Sequence, residues 1–232
     1  MVLVLLFSCV KEDALYLNRG NDHFKKGQYD EAISDFTKAI EINPKFVEAY
    51  YNRGLSYCFK KEYDHVISDS TKAIELSPRH AEAYNNRGLA YYYKGQYDEA
   101  ISDLTKAIEI NPRYAEAHYN RGAAYDEKGK YDQVISDYTK AIDLNPRFTS
   151  AYSNRGAAYA HEGQFDQAIS DFNKVLELNP DSAEAYYNRA GAYYFKKEYE
   201  KSWKDAEKAQ TLGRPLPPEV LNDLRKASGR QN

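Results

Sequence analysis

Residues 81–114 read AEAYNNRGLAYYYKGQYDEAISDLTKAIEINPRY, and close variants of this stretch recur along the chain. The tripeptide Asn-Arg-Gly marks each copy, with alanine in place of the glycine in the last one. Its asparagines stand 34 residues apart, at Asn18, Asn52, Asn86, Asn120, Asn154 and Asn188. A fixed period in this range is typical of stacked-repeat proteins, in which each unit buries its apolar surface against its neighbours.

Each repeat contains two amphipathic segments. In residues 81–114 the first apolar face runs from Ala83 to Tyr91, and the second runs from Tyr97 to Ile108. Both have the three- and four-residue spacing of a helix. Gly95 separates them, and an Asn-Pro pair ends the second, because a residue before proline avoids the helical region. The pattern predicts an all-α chain whose helices are about 13 residues long.

This pattern resembles the tetratricopeptide repeat family. Residues 81–114 supply the residues that the family places at fixed positions, which are Tyr84, Gly88, Tyr91, Ala100, Leu104, Ala107 and Pro112. The resemblance implies a right-handed α-solenoid of helix-turn-helix repeats, in which the first helices line a concave groove. We place six repeats at 13–46, 47–80, 81–114, 115–148, 149–182 and 183–216.

The segments outside the repeats are short. Residues 1–12 form an apolar extension. Residues 217–232 are predicted to form a capping helix and tail, with Val220, Leu221 and Leu224 on one side of the helix. A cap of this kind covers the apolar face that the last repeat would otherwise expose.

Charge, cysteine content and motifs exclude several classes of protein. The net charge of −3 argues against a nucleic-acid binder, whose domains carry a basic excess. Two cysteines are too few for a disulfide scaffold or a four-cysteine zinc site. No stretch reaches the ~18 apolar residues of a membrane-spanning helix. Catalytic and phosphate-binding motifs are missing, so we expect no enzymatic activity, cofactor or metal.

Asparagine occupies position 6 of every repeat, and in the family this position points into the groove. A row of asparagines there can bind an extended peptide backbone, because each amide offers both donors and an acceptor. We therefore take as candidate contacts Asn52, Asn86, Asn120, Asn154 and Asn188. The alternative is that these amides make local structural hydrogen bonds.

Four tyrosines at positions 5 and 12 also face the groove by resemblance. They are Tyr51, Tyr92, Tyr119 and Tyr187. Exposed aromatic rings are enriched at protein interfaces, which favours binding over simple shielding of the scaffold. Arginine at position 7 and aspartate at position 23 recur in all six repeats, and we expect them to pair within each repeat.

The N-terminal residues have two interpretations. Leu6-Phe7-Ser8-Cys9 resembles a bacterial lipobox, in which Cys9 carries a lipid anchor and residues 1–12 include the end of a truncated signal. The other interpretation is an apolar extension packed on the first repeat. The first places the protein in a bacterial cell envelope and the second is compatible with the cytoplasm.

The function predicted from the sequence is a non-enzymatic scaffold that binds an extended peptide or partner segment in the groove. Its partner is a protein or peptide that the repeats do not identify. The alternative is a structural, self-assembling component of a cell-envelope complex, anchored as a lipoprotein. A repeat module separated from a larger enzyme is a third hypothesis.

Overall fold

The computed structural model describes the backbone of residues 2–229 and the side chains of residues 12–229. Within that part of the chain all regular structure is helical, in thirteen helices with no strand. The helices are α1 (Val2–Lys25), α2 (Tyr29–Ile42), α3 (Val47–Phe59), α4 (Tyr63–Leu76), α5 (Ala81–Tyr93), α6 (Tyr97–Ile110), α7 (Ala115–Asp126), α8 (Tyr131–Leu144), α9 (Thr149–His161), α10 (Phe165–Leu178), α11 (Ala183–Phe195), α12 (Tyr199–Thr211) and α13 (Pro218–Ala227). The predicted all-α architecture of stacked helix pairs is confirmed.

The chain forms two compact units, which divide between Ala124 and Tyr125. In the first unit each helix from α1 to α6 packs on the next, and α3 also contacts both α1 and α5. Most of α7 belongs to this unit, where Ala124 packs against Ala100 and Leu104. In the second unit each helix from α8 to α13 packs on the next, and α9 contacts α11.

Small side chains let the helices approach closely. Alanines such as Ala83, Ala100 and Ala107 are fully buried where neighbouring helices cross. The largest fully buried side chains stand at position 24 of their repeats, at Phe36, Leu104, Tyr138 and Phe172. Large and small residues therefore alternate across the contacts, which gives a densely packed core.

The turns have local sequence causes. In the Asn-Pro turns, the asparagine Oδ1 accepts a hydrogen bond from the backbone N–H two residues later, as Asn111 does from Arg113 at 3.1 Å. This Asx turn ends the second helix of the repeat. Between the two helices of a repeat, one residue takes a positive φ, and it is usually a glycine such as Gly95 at 73°.

Lysine replaces this turn glycine in two repeats, at Lys61 and Lys197, with φ values of 61° and 62°. We expect Lys61→Gly to raise the free energy of unfolding by about 1 kcal/mol, because the left-handed conformation strains a residue that has a Cβ. Urea unfolding followed by circular dichroism measures the change. The reciprocal variant Gly95→Lys should lower the stability by a similar amount. A Lys61→Gly protein no more stable than wild type would contradict the prediction.

The short helix α13 covers the last repeat. Leu216 and Leu224 are buried against Ala190 and Ala206. Val220 lies at the solvent edge of the helix and is 36% exposed. In the described part of the chain, no helix combines the length and the hydropathy needed to cross a membrane.

Candidate partner-binding surface

The recurring arginine and aspartate form an ion pair in five of the repeats. In the third repeat, Arg87 Nε donates to Asp103 Oδ2 at 2.7 Å and Nη2 donates to Oδ1 at 2.8 Å. The predicted pairing is confirmed in five repeats, by Arg19–Asp35, Arg53–Asp69, Arg87–Asp103, Arg155–Asp171 and Arg189–Asp205. These hydrogen bonds raise the pKa of Arg87. These five arginines therefore stabilise the packing of the two helices within their repeats.

The same guanidinium also joins one repeat to the one before it, which the sequence interpretation missed. Arg87 Nη1 donates to Thr71 Oγ1 at 2.9 Å, and Arg53 donates to Thr37 at 3.0 Å. The sequence contains a pattern that indicates this contact, because a threonine stands sixteen residues before the arginine in four repeats. Each such arginine therefore ties together three helices.

The asparagines at position 6 are partly engaged with neighbouring helices. Asn52 Nδ2 donates to Asn21 Oδ1 at 2.8 Å, and Asn120 Nδ2 donates to Asn85 Oδ1 at 2.9 Å. We call Asn21, Asn52, Asn85, Asn86 and Asn120, which lie on α1, α3, α5 and α7 of the first unit, the amide strip. An amide that donates one hydrogen bond keeps a second N–H and its carbonyl oxygen. These asparagines can therefore make structural hydrogen bonds and still bind a peptide backbone.

Asn86 differs from the other members of the amide strip. Only 8% of it is exposed, and its Nδ2 has no hydrogen-bond partner among the described residues. A buried N–H without an acceptor costs about 1–3 kcal/mol, so it is a polar group that a ligand can stabilise.

Tyr51 lies beside this amide, and Tyr114 and Glu82 lie near Tyr51. Burial, followed by the charge of Glu82, raises the pKa of Tyr51, and the Asn86 amide beside the phenol opposes that rise. Burial also raises the pKa of Tyr114, with further contributions from Tyr51 and Glu82. The His80 ring lies 5.0 Å from the Tyr51 ring, and its Nδ1 is 3.1 Å from Glu82 Oε2. The part of the amide strip around Asn86 is therefore aromatic and acidic.

The remaining candidate residues have different surroundings. Tyr92 lies edge-on to Tyr93 and packs against Ala124, so it belongs to the helix packing. The guanidinium of Arg214 lies 4.7 Å from the centre of the Tyr187 ring, which also packs on the C-terminal cap. Tyr119 is half-buried in the first unit.

Two candidate asparagines, Asn154 and Asn188, lie in the second unit and are half-buried. Asn154 Nδ2 donates to Tyr138 Oη at 3.3 Å. Neither Asn154 nor Asn188 belongs to the amide strip, which lies in the first unit. Cys9 lies outside the described side chains, and no group of three potential metal-binding residues occurs among those that are described.

Contacts between consecutive repeats include a set that the sequence interpretation missed. The aromatic ring at position 17 stacks on the ring at position 13 of the next repeat, in Tyr29–Phe59, Tyr63–Tyr93, Tyr131–His161 and Phe165–Phe195. A lysine at position 14 pairs with an aspartate of the preceding repeat, as Lys60 does with Asp30 at 2.5 Å and Lys94 does with Asp64. These aromatic rings therefore contribute to repeat stacking.

Comparisons with known proteins agree with this architecture. Profiles described as TPR repeat and tetratricopeptide repeat match residues 20–58, 47–80, 71–102, 88–129, 115–148, 149–182 and 172–204. A search of curated protein sequences gives no significant match.

Several solved structures are similar over most of their length. YrrB, described as a TPR protein with an unusual peptide-binding site, is 29% identical, with 82% of this chain and 97% of that chain covered and a TM-score of 0.69. MamA is 33% identical, with 71% of this chain and 96% of the MamA chain covered and a TM-score of 0.64. PilF of Pseudomonas aeruginosa is 18% identical, with 94% of this chain and 99% of the PilF chain covered and a TM-score of 0.80. At this identity the similarity shows the fold alone.

Proposed function

The chain belongs to the tetratricopeptide repeat family, and we propose that it is a non-enzymatic scaffold that binds an extended segment of a partner protein along the amide strip. The observation that carries this proposal is the arrangement of the strip itself. Its amides come from four successive first helices and retain donors and acceptors beyond those they share. An extended peptide offers one N–H and one carbonyl per residue, which is the complementary pattern.

Asn86 marks the centre of the proposed contact. Its unpartnered N–H lies beside the Tyr51 hydroxyl. A carbonyl oxygen of the bound segment placed beside this hydroxyl would accept a hydrogen bond from the amide. Binding would then remove the free-energy cost of the buried Asn86 N–H that lacks an acceptor in the free protein.

Hydrogen bonds alone give little net affinity. Each contributes about 0.5–1.5 kcal/mol, whereas ordering an extended peptide costs about 1–2 kcal/mol per residue. Burying ~100 Å² of apolar surface on a tyrosine adds about 2.5 kcal/mol. Tyr51 and Tyr114 should therefore set the affinity, while the asparagines set the register of the bound segment.

The similarity to YrrB supports the general role. That protein is described by its peptide-binding site, and it aligns with most of this chain at 29% identity. Contact with protein partners is also the general use of tetratricopeptide repeats. The amide strip is the part of this chain for which we propose that role.

Peptide display on the immobilised full chain tests the proposal. Peptides that are retained would be labelled and titrated by fluorescence anisotropy. We expect Asn52→Ala combined with Asn120→Ala to weaken their binding roughly tenfold, which corresponds to about two lost hydrogen bonds. Circular dichroism would verify that the variant keeps its helices.

Asn222→Ala provides the matched control, because it removes an exposed asparagine from α13 in the other unit. Its affinity for the retained peptides should equal that of the wild type. If the double variant bound the peptides as tightly as the wild type, the amide strip would not be the binding site. Failure to retain any peptide, together with a mass that rises with concentration in light scattering, would favour the self-assembling structural role.

A further inference from the structure

A cationic pocket lies in the last repeat, between α11 and α12. It has a volume of about 410 Å³. We define the cationic pocket by Arg189, Lys201, Lys204 and Lys208, which surround the rings of Tyr186 and Tyr193. All six residues belong to the second unit of the chain.

The positive charges of this pocket are only partly neutralised. Arg189 is paired with Asp205, and Lys201 pairs with Glu198 at 2.6 Å. Neither Lys204 nor Lys208 forms an ion pair with a described residue. They stand four residues apart on one helix, where like charges repel each other. A bound anion would relieve this repulsion.

The corresponding pocket of the fifth repeat is balanced. It is lined by Tyr152, Arg155, Ser170, Lys174 and Glu177. Lys174 pairs with Glu177 at 2.7 Å. The third repeat has the same arrangement, with an ion pair between Lys106 and Glu109 at 2.8 Å.

Two substitutions relative to those repeats create the cationic pocket. Lys204 occupies the position of Ser170, and Thr211 occupies the position of Glu177. The last repeat has thus gained a lysine and lost the acid that would pair with Lys208. Lys201, in place of Gln167, adds a third basic residue to the same helix.

The cationic pocket is separate from the face of α11 that corresponds to the amide strip. Tyr186, Arg189 and Tyr193 lie three and four residues apart, on one face of the helix. With 3.6 residues per turn, the position-6 residue Asn188 points to roughly the opposite side. A ligand of the cationic pocket would therefore leave that face of α11 uncovered.

We propose that the cationic pocket binds an acidic segment of a partner protein, on a surface distinct from the proposed peptide-binding strip. The tyrosine rings provide apolar contact for the side-chain methylene groups of glutamate or aspartate, while Lys204 and Lys208 pair with the carboxylates. The site is concave, so the side chains of a peptide can enter it, whereas a membrane surface is flat. These features favour an acidic peptide over a membrane.

The test uses the full chain and a fluorescein-labelled oligoglutamate peptide, titrated by fluorescence anisotropy. The variant K201Q/K204S/T211E gives the last repeat the residues that the fifth repeat carries at these positions. All three positions are exposed, so the variant should fold, and circular dichroism checks this. We expect binding to weaken about tenfold or more, because two lysines are removed and the introduced glutamate is placed to pair with Lys208. High salt should weaken the wild-type complex in the same direction.

The control variant K25Q/K26Q/K45Q changes the net charge by the same amount at exposed positions of the first unit. It should retain the wild-type affinity, and so should the Asn52→Ala, Asn120→Ala protein. The latter result separates this proposal from the peptide-binding strip. Equal binding by the triple variant K201Q/K204S/T211E, or no binding by the wild type, would overturn the proposal. Binding of phosphatidylserine vesicles in place of the peptide would also overturn it and would indicate a lipid-binding surface.

Discussion

Asp103→Ala is expected to lower the free energy of unfolding by about 3–5 kcal/mol, because it leaves a largely buried guanidinium without its counter-charge. The Arg87 side chain is only 18% exposed, and both of its short hydrogen bonds to this repeat end on Asp103. The bond from Arg87 to Thr71 remains but does not neutralise the charge. Urea unfolding followed by circular dichroism provides the measurement.

An exposed ion pair of the same repeat is the control. Lys106 and Glu109 are 50% and 58% exposed, so Glu109→Gln should change the stability by less than about 1 kcal/mol. Replacing both members of the buried pair, with Arg87→Met and Asp103→Leu, should recover much of the loss, since neither charge remains buried. If Asp103→Ala were no more harmful than Glu109→Gln, the buried pair would have little importance for stability.

The network around Arg87 also explains how the fold holds the amide strip in place. The guanidinium joins α5 to α6 through Asp103 and to α4 through Thr71. Asn85 and Asn86 lie on α5, two residues and one residue before Arg87. The orientation of these amides therefore depends on a helix fixed by its own repeat and by the preceding one. Side chains held in this way would lose little conformational freedom on binding a ligand.

The sequence predicts the helices well because their causes are local and repeated. The apolar spacing, the turn glycines and the Asn-Pro pairs act within one repeat, and five first helices begin at 34-residue intervals, from Val47 to Ala183. The pairing of arginine with aspartate was also predictable, because the two recur together in every repeat. Repetition converts a weak local signal into a strong one.

The side-chain pairings of the candidate site were not predictable in the same way. Position 6 is asparagine throughout, yet Asn52 pairs with Asn21 whereas Asn86 has a buried amide without a partner. The difference arises from residues on neighbouring helices that vary between repeats. Tyr187 illustrates the same limit, because the C-terminal segment, and not another repeat, packs against it.

Departures from the repeat pattern distinguish the last repeat from the others. Ala190, Trp203 and Arg214 identify the last repeat as atypical, and a terminal position accounts for such changes. Lys204 also departs from the pattern, but its effect depends on its lining one pocket together with Lys208 and Arg189. That proximity required the packing of α11 on α12.

Gly88→Ala is expected to lower the free energy of unfolding by about 1–3 kcal/mol through overpacking. A Cβ atom at this position would lie 2.8 Å from Leu104 Cγ and 3.2 Å from the carbonyl oxygen of Ala100. The first contact is with a branched core side chain and the second is with backbone, so neither can move freely. The change in the urea unfolding midpoint measures the effect.

Gly54→Ala separates this packing requirement from a requirement for glycine in the backbone. Its Cβ would lie 3.4 Å from the nearest atom, because Ser70 replaces the large residue that faces the glycine in other repeats. Alanine is favoured over glycine inside a helix, so stability should stay the same or rise by up to about 1 kcal/mol. The last repeat already shows this solution, since Ala190 packs there against the small Ala206. If Gly54→Ala destabilised the protein as much as Gly88→Ala does, the size of the facing residue would not be the reason for the glycine.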